Sequence, residues 1–171
     1  LDNLVTHGLL SARALRDISA EDLAHIIRPS GYFNAKAKKL KAMATFIGLF
    51  DDDIESWRGY SPKVLREQLL TVHGIGPETA DDIVLYAAKL PSFVIDSYTT
   101  RILLRLGLLS HQGNYSDTQN LFESNLPNEE KLFNEYHALL DAHAKYICHK
   151  RNPACAECVL CDICKEGKRR T

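Results

Sequence analysis

Apolar residues recur along this chain at the three- and four-residue spacing of helices that face a core. Leu1, Leu4 and Val5 begin the pattern, so the chain opens inside a helix. Ser19-Ala20-Glu21-Asp22 predicts a helix start, with Ser19 as cap and an acid three residues on. That helix carries Leu23, Ile26 and Ile27 and stops before Pro29. Gly31 marks a turn, and Asn34 is predicted to cap a basic amphipathic helix with Ala35, Leu40, Met43, Ala44, Phe46 and Ile47 inward. Gly48 ends it, and residues 49–61 read as polar and irregular. Ser61-Pro62 is a second start signal, a serine cap before a first-turn proline. Further helices are predicted over 79–90, 96–108, 117–126 and 129–146. Ser92-Phe93-Val94-Ile95 is the one β-like run; at four residues it reads as an extended linker. The expected architecture is all-α in two lobes, 1–90 and 91–171.

Composition narrows the class. At 171 residues with 45% hydrophobic and 25% charged positions, the chain can bury a globular core. Its apolar runs, such as Ile102-Leu103-Leu104, fall far short of a membrane span, and no leader pattern opens it. The first residue is Leu1, within a helical pattern, so the natural N-terminal helices are expected to be missing. Net charge is −1, but the stretch from Lys145 to Thr171 holds seven Lys or Arg and three acids, a net +4. A basic end on a near-neutral chain suits either a local phosphate contact or a solvated tail. All five cysteines lie between Cys148 and Cys164. Clustering of this kind reads as metal binding in a reducing compartment rather than as a disulfide framework. The chain is therefore expected to be an intracellular monomer, cytoplasmic or associated with the nucleoid, with no membrane partner.

Two segments carry candidate chemistry. In Leu69-Leu70-Thr71-Val72-His73-Gly74-Ile75-Gly76-Pro77-Glu78-Thr79-Ala80, two helices flank a turn with glycines at alternate positions. Such a turn aims N–H groups outward at a helix start and can hold a phosphate, though it serves equally as a tight helix connection. Asp96 stands where Val94-Ile95 passes into a helix, the place of an ordinary N-cap. The cysteines on their own leave zinc and iron–sulfur both open.

Taken together, Gly-Ile-Gly-x-Glu-Thr-Ala, Val-Ile-Asp before a helix, Gly31-Tyr32-Phe33-Asn34-Ala35-Lys36-Ala37 and His143-Ala144-Lys145-Tyr146-Ile147-Cys148 resemble the endonuclease III-type helix-hairpin-helix DNA glycosylases over nearly the whole chain. Within that superfamily the motifs look most like the 3-methyladenine glycosylases. The resemblance implies a two-lobed all-α fold with a C-terminal iron–sulfur loop, acting on double-stranded DNA that contains a damaged base. It makes Asp96 the catalytic carboxylate and Cys148, Cys155, Cys158 and Cys164 the ligands of a [4Fe–4S] cluster, with Cys161 outside the set. It assigns Gly74, Ile75, Gly76, Thr79, Lys150 and Arg151 to the DNA backbone, and Glu78 and Lys145 to the base pocket. Read without the resemblance, Glu78 is a first-turn helix acid and Lys145 an exposed helix lysine. Bifunctional relatives carry a lysine where this chain has Glu78, and no lysine occurs from residue 64 to 88. Base removal without strand cleavage is therefore expected, on alkylated purines. The alternatives are a mismatch or oxidised-pyrimidine glycosylase and a non-catalytic DNA-binding module.

Overall fold

The computed structural model describes residues 1–111 and 113–171, and every regular element among them is helical. The chain divides into two compact units, Leu1–Ala80 and Asp81–Thr171.

In the first unit, α1 (Asp2–Thr6), α2 (Ala12–Asp17), α3 (Ala20–Ile26) and α4 (Phe33–Gly48) precede α5 (Pro62–Leu70). Serine caps start three of them: the Ser11, Ser19 and Ser61 hydroxyls accept from the N–H groups of Ala14, Asp22 and Val64. The start of α4 differs from expectation. Asn34 lies inside the helix, and Tyr32, in the left-handed region at φ 48°, is the N-cap without a side-chain bond. Gly31 precedes it at φ 66°, so the chain turns into α4 through backbone conformation rather than through an asparagine cap. Ala35, expected inward, is exposed. α2 and α3 pack on α4 around Leu9, Leu23, Ala24, Ile27 and Ala37. The polar stretch after α4 contains a 3₁₀ turn, Ile54–Gly59, whose Trp57 is buried against Phe46 and Phe50. Asp52 accepts from the two terminal guanidinium nitrogens of Arg16, at 2.6 and 2.8 Å, which ties this stretch to α2.

The second unit is built on α7 (Ser97–Leu106), α8 (Tyr115–Glu123), α9 (Glu130–Tyr146) and α10 (Lys165–Arg170). α6 (Pro77–Asp82) leads into it and widens to a π-helical turn over Ile83–Ala87. Phe93, Val94 and Ile95 are buried with Leu85, Leu103, Phe122 and Phe133 in one core. Their segment forms no sheet, so its polar backbone needs other partners. Side chains supply them. Glu123 accepts from the Phe93 N–H, the Gln119 amide donates to the Phe93 carbonyl, and the Ile95 N–H donates to the Tyr115 hydroxyl. The linker is thereby anchored immediately before Asp96.

Candidate functional site

The hairpin lies at the end of the first unit. Leu65 and Leu69 of α5 are fully buried, while His73, Gly74 and Gly76 face solvent. The Ile75 N–H donates to the Val72 carbonyl, which tightens the turn, and the Ala80 N–H donates to Gly76 at the start of α6. Gly74 is required by two features. Its φ is +87°, and a Cβ there would lie 2.3 Å from the Lys39 side chain. Glu78 and Thr79 stand exposed on the first turn of α6.

In the second unit Asp96 is the N-cap of α7, its Oδ1 accepting the Thr99 N–H at 2.7 Å. Its carbonyl accepts the Thr100 hydroxyl. The side chain is 18% exposed, enough for one edge to meet a ligand. His137 of α9 places Nε2 3.9 Å from Asp96 Oδ2, and Tyr86 of the π-helical turn places its hydroxyl 2.6 Å from His137 Nδ1. Neither residue is singled out by the sequence pattern. Lys145, also on α9, is exposed and donates to Asp141 at 2.6 Å; that hydrogen bond holds its ammonium above the ordinary lysine value.

α7 also holds the cysteine loop. Arg101 donates to the carbonyls of Ala144 and Cys148. Arg105 donates to the carbonyls of Cys148, His149 and Lys150 and to Cys148 Sγ at 3.0 Å. The helix that Asp96 caps thus grips the loop at its other end. Cys148, Cys155, Cys158, Cys161 and Cys164 all line one open cavity, and none of them is paired in a disulfide. Gly167 closes its floor, where a Cβ would lie 3.0 Å from the Cys161 carbonyl. The Gly167 N–H points at Cys164 Sγ, and His143 faces Cys158 Sγ at 3.7 Å, its pKa lowered by burial. Among the described residues no three Cys, His, Asp or Glu converge as the chelate of a single ion. Cysteines gathered around one cavity are a donor set that a [4Fe–4S] cluster takes. Lys150 and Arg151 stand exposed on the loop between the first two cysteines.

Residues 2–128 match the family described as HhH-GPD superfamily base excision DNA repair protein. The chain belongs to this superfamily. A Methanocaldococcus jannaschii protein named, on inference, as a DNA repair glycosylase is 36% identical over 166 residues, covering 96% of this chain and 75% of that one. Endonuclease III of Sulfolobus acidocaldarius is 32% identical over 160 residues, covering 94% and 69%. Among solved structures, a 3-methyladenine DNA glycosylase of H. pylori bound to 1,N6-ethenoadenine superposes with a TM-score of 0.71 at 27% identity, covering 84% and 74%. The all-helical fold and the endonuclease III-type resemblance stand on these matches, as does the broad activity, that of a base-excision DNA glycosylase. No helix among the described residues is long and apolar enough to cross a membrane.

What sequence reasoning missed in this HhH-GPD chain is the company of Asp96. Tyr86 and His137 come from elements 10 and 41 residues away in the chain, and no spacing rule links them to a capping aspartate. The one available signal is a histidine on the inner side of α9 among apolar positions, which is more often a core residue.

Proposed function

We propose that this chain is a monofunctional DNA glycosylase that removes alkylated purines such as 3-methyladenine and leaves an abasic site. The observation that carries the reading is a carboxylate without a lysine: Asp96 sits part-exposed at a helix start, and the hairpin offers Glu78 where lyase-type relatives have their amine. Breaking an N-glycosidic bond builds positive charge on the sugar. A fixed carboxylate stabilises that charge and orients or deprotonates the attacking water. A cationic alkylated purine is already a good leaving group, so little acid catalysis is required of the protein. The base must be flipped from the duplex, and Glu78 favours a positively charged one. Gly74, Ile75, Gly76 and Thr79 of the hairpin, with Lys150 and Arg151, grip the DNA backbone. Lys145, paired with Asp141, is assigned to the base pocket by the family resemblance. Cys148, Cys155, Cys158 and Cys164 hold a [4Fe–4S] cluster, which when bound supplies a fixed fold for the basic loop.

A second reading has its own support. The 32% identity to an endonuclease III supports the alternative of that type, a mismatch or oxidised-pyrimidine glycosylase, whereas the relative bound to 1,N6-ethenoadenine supports the first. Mass spectrometry of the bases released from alkylated and from oxidised DNA separates them. Release of 3-methyladenine supports the proposal, and release of oxidised pyrimidines alone supports the second reading. Asp96→Asn is the decisive variant. Asparagine caps helices as well as aspartate does, so the melting temperature is expected to hold while base release falls by about 100-fold or more. Equal release by both proteins would remove Asp96 from the mechanism.

A further inference from the structure

Both oxygens of Asp96 face a donor position. Oδ1 takes the Thr99 N–H. Oδ2 faces His137 Nε2 at 3.9 Å, and that nitrogen is buried with no hydrogen-bond partner. A carboxylate oxygen can only accept, so a neutral ring facing it carries its proton on Nε2. Nδ1 then holds a lone pair and must be met by a donor. The Tyr86 hydroxyl, 2.6 Å away, is one.

We propose that His137 is a positioning residue for Asp96, held in the Nε2–H tautomer by the Tyr86 hydroxyl and aimed at Oδ2. This rests on the reading of Asp96 as the working carboxylate. The backbone tethers one oxygen, and the imidazole would take the other once the gap closes, which sets the carboxylate plane and leaves its outer lone pairs for the sugar or the water. The gap to Oδ2 is about 1 Å beyond a hydrogen bond, a distance that catalytic contacts commonly lose only when substrate closes the site. Among the described residues the carboxylates that act on the Tyr86 hydroxyl are Asp82, Asp141 and Asp96, and Asp141 is paired with Lys145. Burial first, then these carboxylates, holds the Tyr86 phenol above its ordinary pKa, so the hydroxyl keeps the proton it donates.

The test compares His137→Phe and His137→Gln, whose amide nitrogen can replace Nε2, under single-turnover conditions on whichever damaged base the wild type releases. His137→Phe is expected to slow release about 10- to 100-fold with affinity for uncleavable abasic-analogue DNA unchanged, and His137→Gln to regain most of the rate. In an Asp96→Asn background His137→Phe is expected to cost nothing further, because the group it positions is gone. A wild-type rate for His137→Phe, or equal losses in both variants that persist in the Asp96→Asn background, would overturn the proposal. Nitrogen-15 spectra of labelled histidine read the tautomer without any activity: Nε2–H is expected, and Nδ1–H would overturn it. Undiminished release by Asp96→Asn would instead reject the role of Asp96 itself, and the inference with it.

Discussion

At the scale of single residues, position 78 separates two chemistries. A hairpin amine attacks the sugar and forms a Schiff base, which borohydride reduces to a stable protein–DNA adduct. A carboxylate cannot do this. Wild-type protein is therefore expected to leave no borohydride-trapped adduct on damaged DNA, and Glu78→Lys to produce one, read as a shifted band on a denaturing gel. Glu78 is exposed on the first turn of α6, so the exchange buries no charge and the fold should hold. It does place a cation at a helix start, which costs about 0.3–1 kcal/mol. A trapped adduct with the wild type would show that another amine serves, and base removal without strand cleavage would no longer describe this chain.

Elements decide how firmly Asp96 is presented. The segment over 92–95 is apolar and buried yet belongs to no sheet, so its fate depends on Gln119, Glu123 and Tyr115, which complete its hydrogen bonds from α8 and its N-terminus. Gln119→Leu keeps a similar volume but leaves the buried Phe93 carbonyl without its donor. The expected loss is about 1–3 kcal/mol in denaturant unfolding, with slower base release because Phe93, three residues before Asp96, loosens. Stability unchanged within error would mean that water takes over the carbonyl. The helices on either side were legible in the sequence because caps and apolar spacing are local signals: Ser19, Ser61 and Asp96 cap as their positions suggest. Asn34 does not, because Gly31 and Tyr32 turn the chain by positive φ, a conformation that residue types disclose only weakly. The side-chain anchoring of 92–95 and the Tyr86–His137–Asp96 arrangement depend on pairings 20 to 51 residues apart, which no local pattern encodes.

For the whole molecule the balance of charge poses the question, since a chain of net charge −1 must still hold a polyanion. Long-range attraction is therefore weak, and affinity depends on a few well-placed contacts. Arg105 spends its donors on the His149 and Lys150 carbonyls and on Cys148, so the loop backbone is fixed while the Lys150 and Arg151 side chains stay exposed. A loop backbone held in this way would present both cations to phosphates at little entropic cost. Replacing both with alanine is expected to weaken binding to damaged and undamaged DNA alike and to lower the slope of log K against log salt by about 2, roughly 1 per lost phosphate contact. Fluorescence anisotropy across a salt series measures this. The visible absorbance expected of the proposed cluster should be unchanged, since neither side chain is among its proposed ligands. An unchanged slope would show that the basic loop is solvated surface and that the phosphate grip lies with the hairpin alone.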